Sequence, residues 1–228
     1  MAGNTIDDAE RFEPYPLFVQ FEGEPVVVVG GGAVAERKVD TLLEHGACVT
    51  VIAPEATEGL QAHARGGRIE WLPRCYGEGD LEGALFVVCA TDDTAVNEAV
   101  FAEAHRRHQL VNVVDVPRLC NAIVPSVLNR GRLQIAVSTG GASPTAAREI
   151  RHALEERFPA YWEGYLDLMA ELRLLVKQRV EGPTERRVPL YEALQASDLL
   201  ARFAAGECPD AESVYNEIVA PLVEGDAR

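Results

Sequence analysis

Lysine is almost absent from the chain: Lys38 and Lys177 are the only two, so nearly all positive charge is arginine. Cations of both kinds are outnumbered, 21 Lys and Arg against 36 Asp and Glu, for a formal net charge of −15 at pH 7. That balance excludes nucleic acid as a general partner, because a phosphate backbone needs a basic face. An anionic substrate would have to be met locally, by arginines whose planar fork suits carboxylates and phosphates. Paired cysteines are missing too. Cys48, Cys75, Cys89, Cys120 and Cys208 are odd in number and include no CxxC, which supports neither a zinc ribbon nor a thioredoxin-like centre. Cys48 and Cys89 stand in apolar runs, and the cysteines as a set read as buried, reduced thiols acting as small hydrophobes. No apolar run approaches the roughly 20 residues of a membrane span. Met1–Arg11 is polar and acidic, unlike a signal peptide, so a cytoplasmic protein without membrane contact is expected. His105 and His108 are three apart, but Arg106 and Arg107 between them make a wet helix face the better reading, and no metal site is expected. Internal repeats and low-complexity tracts are absent.

What is present is globular in balance, with 47% hydrophobic and 25% charged residues. Pro25–Val29 is a β-branched run of the kind buried on both faces of a sheet. A helix from Val34 to His45 follows and is stopped by Gly46. Cys48–Ala53, Arg68–Leu72, Leu85–Cys89 and Leu110–Val114 read as further strands, with helices over Glu55–Arg65 and Asp93–Arg107. Strands alternating with helices at this spacing make a parallel sheet with right-handed crossovers. The pattern then changes. Ala122–Asn129 and Leu133–Ser138 read as two strands joined by a turn at 129–132. Beyond them come helices from Ser143 to Phe158 and from Trp162 to Val180, a polar linker over Glu181–Pro189, and two more helices near Leu190–Ala205 and Ala211–Val223. The expected fold class is therefore α/β: a Rossmann-type parallel sheet over 1–116, a β-containing segment over 117–150, and a helical C-terminal domain over 151–228.

The chemistry starts at Gly30-Gly31-Gly32-Ala33-Val34-Ala35, which fits G-x-G-x-x-A between a strand and a helix. Gly30 permits the tight turn, Gly32 lets a pyrophosphate approach the backbone, and Ala35 allows close packing of helix on strand. Ala33 and Val34 open the helix, whose free N–H groups and positive dipole end suit phosphates. Dinucleotide binding is the expectation. The ribose-binding acid should stand about 20 residues on; Glu55 is there, either in that role or as an ordinary acid at a helix start. No arginine lies between Val49 and Gln61 to meet a 2′-phosphate, so NAD is favoured over NADP. Thr91 and Asp92 follow the fourth strand, where small polar residues line a cofactor; equally, one of them could cap the next helix.

Neither lysine stands four residues after a tyrosine, which excludes the Tyr-x-x-x-Lys pair of short-chain dehydrogenases. Asp115 ends the last parallel strand, where doubly wound sheets place their chemistry. A carboxylate there can take a proton as hydride leaves a neighbouring carbon, unless Asp115 merely starts the turn before Pro117.

Four motifs occur in order: Gly30 to Lys38, Ala90-Thr91-Asp92-Asp93 with Asn97, Asn112-Val113-Val114-Asp115, and Ser138-Thr139-Gly140-Gly141-Ala142-Ser143-Pro144. Together, over roughly Tyr15 to Phe158, they resemble the precorrin-2 dehydrogenase family, which includes the N-terminal part of siroheme synthase. The resemblance implies NAD-dependent oxidation of precorrin-2 to sirohydrochlorin, with ferrous insertion in some members. It also implies catalysis by Asp115 and a homodimer joined through the strands of Ala122–Ser138. Thr139 falls where some relatives carry a serine. Precorrin-2 bears eight carboxylates. Arg118, Arg130, Arg132, Arg148 and Arg151 form the matching group of cations, with Arg118 and Arg148 chosen as substrate-binding. Thr139, Gly140, Gly141 and Ser143 are expected to add an anion site at the head of a helix. The competing reading is a non-catalytic, dimeric NAD-sensing module, which needs the glycine loop but not Asp115.

Overall fold

A computed structural model describes residues 14–225; the expectation drawn from Met1–Arg11 falls outside them. Within that range lie two compact units that divide between Val124 and Pro125.

The first unit is built on five parallel strands: β1 (Pro25–Val29), β2 (Cys48–Ile52), β3 (Ile69–Leu72), β4 (Phe86–Cys89) and β5 (Leu110–Val113). Their order is β3-β2-β1-β4-β5, with Val28 beside Val51 on one flank and Val88 on the other. The order reverses between β1 and β4, which is the switch point of a doubly wound sheet. The valines of β1 explain its central place. Val26 and Val28 point into a core shared with Ala35, Val39 and Leu42 of helix α1 (Ala33–Glu44) and Leu60 of α2 (Glu58–Arg65). Val27 and Val29 point the other way, into a core with Val100 and Ala104 of α3 (Thr94–Arg106). A strand covered on both faces needs apolar residues at every position, and each fully buried valine contributes about 1.5 kcal/mol or more.

The second unit begins with an antiparallel hairpin, β6 (Ser126–Arg130) and β7 (Leu133–Val137), turned at Gly131 with φ +59°. Its helices are α4 (Pro144–Arg157), α5 (Tyr161–Arg179), α6 (Val188–Ala196) and α7 (Leu199–Ala204), followed by a helical C-terminal segment that contains a π-turn at Tyr215–Val219. Leu168, Leu172 and Val176 of α5 are the spine of its core, with Leu194, Phe203 and Val219 packed around them.

Three local expectations need correction. Helix α2 starts at Glu58, not Glu55, because Thr57 is its cap: the Thr57 hydroxyl accepts from the Leu60 N–H at 3.3 Å. The linker is shorter than its prolines suggest. Pro189 sits in the first turn of α6, where its missing N–H is not needed. The helix expected over Leu190–Ala205 is two, broken where the Ser197 hydroxyl turns back to donate to the Leu194 carbonyl at 2.6 Å. The cysteines also differ from expectation: Cys48, Cys75 and Cys208 are exposed, and Cys89 alone is fully buried.

Candidate functional site

The glycine loop sits at the carboxyl end of β1, at the switch point. Gly30 has φ +120°, and a Cβ there would stand 2.3 Å from the Ala90 carbonyl oxygen at the end of β4, so only glycine fits between the two strand ends. Gly31 is tighter still: its Cβ would meet the Glu55 carbonyl oxygen at 1.9 Å. The loop is stitched to β2 by the Gly30 N–H, which donates to Ile52, and to the cap of α2 by the Gly31 carbonyl, which accepts from the Thr57 N–H, both at 3.0 Å. Gly32 is the opposite case. A Cβ there would meet nothing within 4 Å, and Gly32 is the N-cap of α1 with no side chain capping the helix. The first N–H groups of α1, at Ala33 and Val34, are therefore left to a ligand, in front of an open approach. That arrangement fits a pyrophosphate.

Glu55 is exposed, with its backbone against Gly31. Because α2 is capped by Thr57 and carries Glu58 in its first turn, Glu55 lies outside that helix, beside the glycine loop. At the end of β4 neither Thr91 nor Asp92 caps α3. Asp93 does, accepting from Ala95 N–H at 2.8 Å and Val96 N–H at 3.2 Å. Thr91 is half-buried and its hydroxyl accepts from Asp93 N–H, while Asp92 is exposed without a capping role. Buried Asn97 fastens this end of the strand, donating to the Thr91 carbonyl and accepting from the Cys89 thiol at 3.1 Å. Burial pushes that thiol up to about 12, so Cys89 stays a neutral donor.

Asp115 stands in the turn after β5, exposed, with φ +60°; His108 is the only other described non-glycine residue at positive φ. A non-glycine residue held in the left-handed region persists only where its surroundings over-determine it. They do here. Val116 N–H donates to the Val113 carbonyl, Leu119 N–H to Val116, and Cys120 N–H to Pro117. The Cys120 sulfur lies inside this loop, accepting from Val113 N–H at 3.3 Å and donating toward the Val113 and Val116 carbonyls. Asn121 and Ala122 then run along the open edge of β5, the Asn121 side chain accepting from Val111 N–H at 2.7 Å. Asn112 donates to the Ala122 carbonyl at 2.9 Å. Arg118, in the short 3₁₀ turn Pro117–Leu119, makes a 3.4 Å pair with Glu98 on the surface.

Lys38, on the second turn of α1, is half-buried. Burial lowers its ammonium below the ordinary lysine value, Arg37 beside it acts in the same direction, and Asp115 opposes both.

The remaining expected residues belong to the second unit. Thr139 closes its own loop: its hydroxyl accepts from Ser143 N–H and donates to the Ser143 carbonyl, both at 3.1 Å. Gly140 and Gly141 take φ +60° and +84° to make the bend. Ser143 caps α4 by accepting from Ala146 N–H. With Pro144 carrying no N–H, the first three helical positions leave only the Thr145 N–H for an anion. The arginine group is similarly committed. Arg130 donates to the Phe158 carbonyl, Arg132 pairs with Asp167, and Arg151 pairs with Glu155. Arg148 is exposed and is the one of the five without a partner among the described residues.

Sequence reasoning assigned no site role to Gly31, Cys120, Asp93 or Lys38. The middle of a glycine triplet is a free position in the motif, and no spacing rule marks a lone cysteine as a loop clasp. Lysine scarcity was the available signal for Lys38. Among the described residues no group of three or more His, Cys, Asp or Glu is placed to hold a metal ion, and no helix is long and apolar enough to cross a membrane.

Comparison with known proteins agrees with this geometry. Residues 17–126 match a family model described as putative NAD(P)-binding, and residues 130–157 one described as sirohaem biosynthesis protein central. The chain is 43% identical over 176 residues to siroheme synthase of Methylobacillus flagellatus, covering 77% of the chain and 38% of the relative. It is 39% identical over 212 residues to siroheme synthase of Pseudomonas entomophila, covering 92% of the chain and 46% of the relative. The chain thus spans less than half the length of these curated relatives. A solved structure titled SirC, precorrin-2 dehydrogenase, superposes with a TM-score of 0.72 at 30% identity, covering 82% of the chain and 92% of that protein. The nicotinamide-binding fold, the order of the motifs and the coverage of that structure agree: the chain belongs to the precorrin-2 dehydrogenase family, which it shares with the siroheme synthases.

Proposed function

We propose that the chain oxidises precorrin-2 to sirohydrochlorin with NAD, a step of siroheme synthesis, and that Asp115 is its catalytic residue. The observation that carries the reading is Asp115 held at φ +60° at the carboxyl end of β5, next to the strand whose end lines the glycine loop. Bound NAD supplies a hydride acceptor. Gly30, Gly32, Ala33 and Val34 would hold its pyrophosphate, Glu55 a ribose, and Thr91 and Asp92 the far side of the crevice. A carboxylate at Glu55 favours a ribose hydroxyl over a 2′-phosphate, which supports NAD over NADP. Asp115 accepts the proton that must leave the macrocycle when hydride departs. The oxidation extends conjugation, so positioning supplies much of the rate and the base adds to it. Thr139, Gly140, Gly141 and Ser143 are proposed to shape the substrate side, with Thr139 acting through the loop it closes, and Arg118 and Arg148 to meet carboxylates at the rim.

The protein is further proposed to act as a homodimer. The hairpin β6–β7 is a two-stranded sheet whose outer edges are unpaired among the described residues, and Val127 on it is 43% exposed. Such an edge invites pairing with a second copy.

The test is anaerobic mixing of protein, precorrin-2 and NAD, followed by absorbance. A sirohydrochlorin spectrum that grows only with NAD is the expected result, and Asp115→Ala should lose this turnover while binding NAD as the wild type does. No spectral change with NAD binding intact would refute the activity; undiminished turnover in the variant would refute the role of Asp115. Ferrous ion added to the product tests chelation.

A further inference from the structure

We propose that Lys38 is a substrate-binding residue, receiving a carboxylate of the tetrapyrrole beside Asp115; this rests on the function proposed above. The argument begins with its position. Lys38 is four residues past Val34, and its neighbours Ala35 and Val39 are wholly buried against the sheet. Side chains on a helix lean toward its N-terminus. The lysine stem therefore leans back along α1 toward the glycine loop. Val114, the residue before Asp115, packs against the same core as Ala35 and Val39, which sets the end of β5 beside this part of α1; the charge of Asp115 acts on Lys38 accordingly.

The second observation is that this ammonium has nothing to bind. Among the described residues no hydrogen bond or ion pair joins Lys38 to another residue. Asp115 acts on it through space without reaching it. Arg37, its like-charged neighbour on α1, makes the position worse for a cation. A half-buried charge without a partner is costly unless something arrives to pair with it. A lysine kept only for its stem would send its head into water.

An incoming carboxylate satisfies all of these. It supplies the counter-charge that the protein withholds, on the side of α1 that faces the end of β5. In a chain of net charge −15, an unpaired cation at this point attracts a polyanion more selectively than Arg118, Arg132 and Arg151, each already paired with a carboxylate of its own unit.

The experiment compares wild type with Lys38→Met and Lys38→Arg, using uroporphyrin, a fluorescent tetrapyrrole octacarboxylate, as an equilibrium probe. Losing one charge-assisted hydrogen bond should weaken uroporphyrin binding by roughly 10-fold or more in Lys38→Met, with Lys38→Arg close to wild type. In turnover, KM for precorrin-2 should rise by a similar factor while kcat holds. NAD affinity should stay at the wild-type value, and the melting temperature of Lys38→Met should be no lower than wild type, because no internal ion pair is broken and an unpaired half-buried charge is removed. The proposal is overturned by unchanged uroporphyrin affinity in Lys38→Met, by loss of NAD affinity instead, or by a wild type that binds no uroporphyrin. A wild type that binds uroporphyrin yet leaves precorrin-2 unoxidised counts against the proposed function, and the Lys38→Met titration still decides this assignment.

Discussion

The turn at Asp115 exchanges backbone comfort for aim. Left-handed φ costs an L-residue of order 1 kcal/mol, and aspartate tolerates it better than most. The clasp made by Cys120 and the β-edge contacts of Asn121 hold the conformation in place. Glycine alone would adopt it without strain, so at this position the usual order of Ala over Gly should invert. Urea unfolding should find Asp115→Gly about 1 kcal/mol more stable than Asp115→Ala. A more stable alanine variant would show that the turn is not strained. The position of Asp115 was legible from its place at a strand end. The backbone conformation that aims it was not, because it depends on a sulfur five residues later that no pattern marks. Glu55 shows the converse: its distance from the glycine loop was legible, but its freedom from α2 depended on Thr57 outcompeting it as the cap.

Among elements, α3 carries the densest polar contacts. Glu103 is 1% exposed, yet its carboxylate accepts from Tyr76 Oη at 2.5 Å, Gly79 N–H at 3.0 Å and Arg107 Nε at 2.8 Å. Burial alone would raise its pKa, but these donors together hold it below the ordinary glutamate value. Burial and the same carboxylate push the Tyr76 phenol up. The bonds tie the loop between β3 and β4 to α3. Since the folded value is depressed, the stabilisation is present above the unfolded value of about 4.3 and is lost as pH falls through the folded one. Glu103→Gln should therefore cost about 2 kcal/mol at pH 7 in urea unfolding, and the gap should narrow as pH drops below 4. A gap independent of pH would mean that packing, not charge, is what the glutamine removes. Elements of this kind were legible wherever periodicity ran long, as in α1, α4 and α5. They were less so where a single side chain decides, as at Ser197 between α6 and α7 or the π-turn at Tyr215–Val219. Prolines misled once: Pro189 reads as a breaker and is a helix start.

For the whole molecule, the parallel sheet was the most legible feature, since strands alternating with helices lead to it; its strand order was not read from the sequence, because periodicity marks strands without saying which ones pair. The hairpin β6–β7 was legible as strands; its exposed face carries Val127 and Ala136 beside Asn129 and Gln134, and the proposed second subunit would cover that face. Light scattering should give about twice the 24.8 kDa chain mass. Val127→Arg should shift the protein to monomer without unfolding it, since the side chain is exposed in the single chain. A monomeric wild type would remove the dimer.

The stitching of Gly30 to Ile52 and Gly31 to Thr57 has a kinetic side. A phosphate cradle already fastened to the second strand has no disorder to surrender when cofactor arrives. A loop held in this form before the cofactor binds would leave affinity undiscounted by the population of a competent state. Cofactor exchange would then be set by encounter and escape, and successive turnovers would need no rearrangement of the loop between them.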